Sequence, residues 1–113
     1  MSANSLDRRF QQPEIRWARR LVDEYAFVLD GIPDMIRLRF YQVLGGHWIE
    51  TEQSHYLQTP DMAAPEVSET QRHATVDAAL DELLSGVLDG YRAAVRRGRQ
   101  PDESWLLPNR DFT

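Results

Sequence analysis

The stretch MIRLRFYQVLGGHWIETEQSHYL, Met35 to Leu57, decides the fold. Two runs rich in strand-forming residues flank Gly45-Gly46, and a Gly-Gly pair supplies the positive φ angles that a two-residue hairpin turn needs. With those glycines at the turn, Leu44 pairs with His47, Val43 with Trp48, Tyr41 with Glu50, Arg39 with Glu52 and Arg37 with Ser54. Strand side chains alternate between faces. One face then carries Arg37, Arg39, Tyr41, Val43, Trp48, Glu50 and Glu52. The other carries Ile36, Leu38, Phe40, Leu44, Ile49 and Leu57, interleaved with Gln42, Thr51 and Gln53. The aliphatic face reads as core and the mixed face as solvated or half-covered. A slip of one residue would scatter the aliphatics and part the opposite charges, so the pattern sets the register.

Upstream, residues 1–12 are polar without a period and read as a flexible arm. From Pro13 a 3.6-residue period gathers Ile15, Trp17, Ala18, Leu21, Val22, Tyr25, Ala26, Val28 and Leu29 on one side. Arg16, Arg19, Arg20, Asp23, Glu24 and Asp30 fall on the other. Proline in the first turn and Gly31 at the end complete the signature of an amphipathic helix over 13–30. Alternate residues are also partly apolar, as in a strand, but the helical separation is cleaner. Pro33 forces a break before the hairpin.

Downstream, QTPDMAAPEVSE (58–69) has two prolines and no period, so it reads as a loop, with room for a short third strand in 66–73. From Thr75 the helical period returns in Val76, Leu80, Leu83, Leu84, Val87, Leu88, Tyr91, Ala94 and Val95. Thr75 is an N-cap, Asp77 suits the positive end of the dipole, Arg96 and Arg97 suit the negative end, and Gly98 with Pro101 closes the helix. Gly86 and Gly90, with Ala79 and Ala93, make a small-residue stripe fit for close packing within the chain or against a partner helix. The tail holds Trp105, Leu106 and Leu107, too apolar to stay in water, and is expected to dock as a strand or strap; folding over the aromatic hairpin face is the alternative to leaving that face open. The result is an α+β fold of order α-β-β-(β)-α, one domain over 13–113.

Composition narrows function. The 113 residues suffice for a single core. With 42% hydrophobic and 27% charged residues the chain has an ordinary globular makeup. No apolar run nears the ~20 residues of a membrane span, and the first ten residues lack a secretory-signal core, so the expected location is cytoplasmic with no membrane partner. There is no cysteine, hence no disulfide, thiolate metal site or thiol nucleophile. A net charge of −5 opposes broad affinity for nucleic acid. Every basic residue is arginine, whose planar fork suits interfaces as well as a biased genome.

Chemistry finds no foothold. His47 and His55 on one strand would stand about 26 Å apart, beyond a shared metal. Glu50 and Glu52 share a face but have structural partners in Tyr41 and Arg39, without a pocket to raise a carboxylate pKa. No nucleophile elbow or phosphate loop is present. No enzyme activity, cofactor or metal is therefore expected. Tyr41 and Trp48 beside Arg37 and Arg39, with Arg92, Arg96, Arg97 and Arg99, make an RNA or single-strand DNA binder the second reading. The first is a protein-interaction module, binding another protein or itself through the hairpin face, because Trp, Tyr and Arg are the residue types of binding hot spots.

From about 35 to 101 the order of features resembles HicB-type antitoxins. The matching pieces are Gly45-Gly46, Pro60-Asp61, Thr75 with Asp77-Ala78-Ala79, and Gly98 followed by Pro101. The resemblance implies a partial RNase H-like fold that neutralises a toxin through its surface. Met62-Ala63-Ala64-Pro65 stands where that family has a glycine-rich continuation, and the segment 13–30 is additional.

Overall fold

A computed structural model describes residues 7–113 of the chain. The hairpin lies at its centre. Strand β2 (Ile36–Val43) pairs antiparallel with β3 (Ile49–Gln53), with Tyr41 opposite Glu50 and Arg39 opposite Glu52, in the register expected. The turn is longer than two residues. The Val43 N–H donates to the Trp48 carbonyl at 3.3 Å and the Gly46 N–H to the Val43 carbonyl at 3.2 Å, leaving 44–47 as the loop. Of the two turn glycines, only Gly45 has positive φ, at 84°. Gly46 serves another purpose, because a Cβ there would lie 2.5 Å from a ring carbon of Trp48.

Ile36, Leu38, Phe40 and Ile49 are buried on the aliphatic face, as their alternation requires. Val43 departs from expectation: it belongs to the mixed face but is only 7% exposed. The run 47–57 also does not continue as one strand. At Ser54 the chain leaves the first sheet, and β4 (His55–Leu57) pairs with β5 (Leu106–Pro108) in a second one. The bend is held by side chains. The Ser54 hydroxyl accepts the Arg37 backbone N–H at 2.8 Å, and the Gln53 amide donates to the His55 carbonyl at 2.9 Å. The tail thus docks as a strand, with Trp105 buried and in edge-to-face contact with Tyr91 at 5.9 Å.

The main correction concerns 13–30. The segment is not helical: Arg19–Phe27 forms strand β1, antiparallel to β2, and the three-stranded sheet runs β1-β2-β3. The register slips between Leu21 and Asp23, so Val22 is an extra, bulged residue. Before the bulge Leu21 sits opposite Tyr41 and after it Tyr25 sits opposite Leu38, on the other face. A phase change of one residue inside a two-residue period leaves apolar positions at 21, 22 and 25, which also fit a helix. Pairing with β2 satisfies the backbone, and tertiary contact overrides the helical pattern. Residues 66–73 give only an isolated bridge, in which Ile49 and His73 exchange backbone hydrogen bonds of 2.7 and 3.0 Å. The arm reading falls partly outside the described residues; within them, Asp7–Phe10 forms a 3-10 turn.

The helix α1 (Val76–Arg96) keeps its expected ends. Thr75 Oγ1 accepts the Ala78 N–H at 3.0 Å. At the other end Gly98 has φ 85°, its N–H donates to Val95 and the Arg99 N–H donates to Ala94, a Schellman closure. Ala79, Leu83, Val87 and Ala94 face the core. The small-residue stripe packs within the chain: a Cβ on Gly90 would meet Leu57 Cδ2 at 2.9 Å, and one on Gly86 would meet the Glu66 carboxylate at 2.8 Å. The two glycines therefore respond differently. Gly86→Ala displaces only a carboxylate that can swing into water, and stabilises by about 0.5–1 kcal/mol through helix propensity. Gly90→Ala presses on buried Leu57, and the overpacking outweighs that gain, for a net loss of ~1 kcal/mol. Urea denaturation of the two variants checks the opposite signs.

Candidate functional site

The mixed face of the sheet is built from three strands. Opposite Val43 on β2, β1 contributes Arg19, whose guanidinium lies 3.7 Å above the Tyr41 ring and 4.4 Å from the Trp17 ring. Arg19 also pairs with Glu52 at 2.7 Å and approaches Glu50 at 3.7 Å. The Tyr41 hydroxyl donates to Glu52 at 2.8 Å. Glu52 is thus held by Arg19 and Tyr41, whereas its cross-strand neighbour Arg39 turns to Glu24 on β1 at 3.4 Å. Arg39 also lies 4.1 Å from the Phe112 ring and donates to the Thr113 carbonyl. The expected pairs Arg39–Glu52 and Tyr41–Glu50 hold as strand register but not as side-chain bonds.

Of the seven residues read from sequence, Arg39, Tyr41, Glu50 and Glu52 come together in this network. Trp48 stands beside it, under the Arg72 guanidinium at 4.0 Å, with its indole N–H 3.5 Å from Glu50. Arg37 remains an exposed side chain at the far end. Val43 forms the floor of a groove of about 250 Å³ at the turn end, walled by Phe10, Ile15, Trp17, Leu44 and Trp48. Trp17 is 60% exposed there. The tail covers the face differently from expectation. Trp105 is in the core, and Phe112 is the tail residue that reaches Arg39.

The electrostatics follow from partial burial. Burial alone would raise the Glu52 pKa, but the Arg19 hydrogen bond, the Tyr41 hydroxyl and the charges of Arg19 and Arg39 together hold it below the ordinary value of 4.5. Burial, then the bond to Glu52, pushes Tyr41 up. Asp61, on the other side of the molecule, is lowered by its hydrogen bond to Arg99. A carboxyl whose folded pKa is depressed adds stability above its unfolded pKa and loses it as pH falls through the folded value. Stability is therefore expected to decline on acidification below about 4.5. Glu52→Gln should flatten that decline in thermal melts recorded from pH 7 to pH 3.

No group of three or more His, Asp or Glu fit to hold a metal stands together among the described residues. His73 lies at the sheet edge but is buried, not on the surface, and its Nε2 has no hydrogen-bond partner among the described residues. A second cleft, about 300 Å³, lies between 66–70 and α1, with Ser68 donating to Glu82 and holding its pKa down. No helix of the described residues is long and apolar enough to cross a membrane.

Arg19, Glu24, Trp17, Arg72 and Phe112 were not legible as site residues. Arg19, Glu24 and Trp17 sit in the segment whose pattern mimics a helix, and Phe112 reaches Arg39 from the far end of the sequence. The surface that results is a sheet face of internally neutralised charge beside a tryptophan-lined groove that also holds Arg16. Compared with protein-family models, curated proteins and solved structures, the chain gives no match.

Proposed function

We propose that this protein is a non-catalytic binding module that captures another protein through the groove at the turn end of its sheet. The observation that carries this reading is the groove itself: Trp17 and Phe10 stand exposed over a buried Val43 floor, next to Trp48. Exposed tryptophan and phenylalanine around a small groove that also holds an arginine, Arg16, is the composition of a binding hot spot. Arg39, Tyr41, Glu50 and Glu52 form the ion-paired sheet face beside it, and Arg37 stands exposed at the far end of that face. In the HicB-like reading the captured protein would be a toxin.

The same geometry disfavours nucleic acid as the ligand. Arg19 and Arg39 already face carboxylates, and guanidinium groups lie over the rings of Tyr41 and Trp48. Base stacking needs free ring faces and phosphate binding needs unneutralised cations. Arg97 and Arg99 at the end of α1 likewise point at Asp61.

The test is selection of a random peptide library on the wild-type protein and on Trp17→Asp. Peptide families with a shared apolar anchor, retained by wild type and lost by the variant, are the expected result. Equal enrichment on both, or binding only of nucleic acid with a steep salt dependence, would remove this function.

A further inference from the structure

We infer that the protein forms a two-fold homodimer by antiparallel pairing of β1 with β1 of a second copy, joining two three-stranded sheets into one of six strands. This surface is separate from the groove and does not depend on what the groove binds.

Among the described residues, strand β1 is the edge of its sheet and pairs only with β2. It is nine residues long, RRLVDEYAF, with no proline. On it Leu21 is 48% exposed and Tyr25 44%. On either side of the Val22 bulge the open edge presents unpaired backbone donors and acceptors, a template for another strand. The opposite edge of the sheet is different. At Ile49, β3 is already bridged by His73, which blocks head-to-tail addition of β1 to β3 of the next copy at that point. The open edge is left to meet its own kind, and a surface that meets its copy closes as a two-fold pair.

The charges say which way the copies run. Along β1 two arginines, Arg19 and Arg20, precede two acids, Asp23 and Glu24. A parallel copy would set like charges together, and an antiparallel copy with its axis near Leu21–Val22 sets Arg20 opposite Asp23, twice. Arg19 and Glu24 are engaged within the chain, with Glu52 and Arg39. Arg20 and Asp23 are exposed, and neither has an ion-pair partner among the described residues. The bulge makes their pairing geometrically sound. Arg20 lies opposite Gln42 and Asp23 opposite Phe40, two positions apart on β2, so both project from the same sheet face. Without the extra residue they would point to opposite faces. A two-fold axis normal to the sheet keeps each face continuous, so Arg20 and Asp23 of the two copies meet on one side.

Sedimentation equilibrium of the wild-type protein tests the inference directly. Twice the 13.1 kDa chain mass is the expected result, dissociating at high salt. Arg20→Asp or Asp23→Arg alone should raise the dimer dissociation constant by roughly tenfold or more, because each puts like charges opposite each other twice. The exchange Arg20→Asp/Asp23→Arg should restore it. Circular dichroism confirms that each variant keeps its fold, and Trp17→Asp should leave the dimer intact, which separates this surface from the groove. A wild-type protein that stays monomeric at every concentration overturns the inference. So does a dimer indifferent to both single changes, or a double exchange that fails to recover it.

Discussion

Arg19→Met should destabilise the protein by about 2–3 kcal/mol, and Arg19→Met/Glu52→Gln should recover most of the loss. Arg19 and Glu52 side chains are 19% and 26% exposed, between the surface pairs that contribute under about 1 kcal/mol and the buried ones whose breakage costs 3–5 kcal/mol. Removing the guanidinium leaves Glu52 half-buried with only the Tyr41 hydroxyl as donor, and takes the cation from between Tyr41 and Trp17. Most of the expected cost is the stranded carboxylate, which is why neutralising it restores stability. Guanidinium titration of the four proteins in the cycle gives the coupling. If Glu52→Gln alone proves as damaging as Arg19→Met, the stranded charge is not the cause.

Trp105→Ala should be more damaging, at about 3–5 kcal/mol. Trp105 is 2% exposed, packs edge-to-face on Tyr91, and its carbonyl accepts the Gln58 N–H at 2.7 Å. Its loss opens a cavity where α1 meets the docked tail and loosens β5 from β4. Against a total stability of 5–15 kcal/mol for a domain of this kind, the variant should show a markedly lower thermal midpoint. Trp105→Phe, which keeps a ring against Tyr91, should retain much of what alanine loses. Phe112 should lose its position over Arg39 in the alanine variant, readable as a chemical-shift change at Arg39.

What the sequence disclosed and what it hid both have physical causes. The hairpin register was legible because one face needed Ile36, Leu38, Phe40 and Ile49 together, and only one pairing provides that. Helix α1 was legible because its caps are local: Thr75 and Gly98 act within one turn. The docking of Trp105 followed from the cost of leaving it in water. Strand β1 was not legible, since the bulge at Val22 disguises its period and an edge strand need not bury its apolar residues. The bend at Ser54 gave no signal, because its bonds to Arg37 and His55 exist only after pairing. The site was read in part. Its β2 and β3 residues follow from register, but the arginine at its centre bonds Glu52 across 33 positions and the tail reaches Arg39 across 74. No local pattern encodes such contacts.

The parting of β3 from β4 at Ser54 has a consequence for biosynthesis. Strands β1, β2 and β3 are sequential neighbours and can zip together by short loop closures as soon as they leave the ribosome. Strand β4 cannot, because its partner among the described residues lies some fifty positions on, with His55 waiting for Pro108. Until Trp105 and Leu106 emerge, the aliphatic face of the sheet, Leu57 and the inner side of α1 lack their cover. The nascent chain therefore passes through a stage with an assembled hairpin and an unfinished core, and the arrival of β5 sets the moment at which that stage ends.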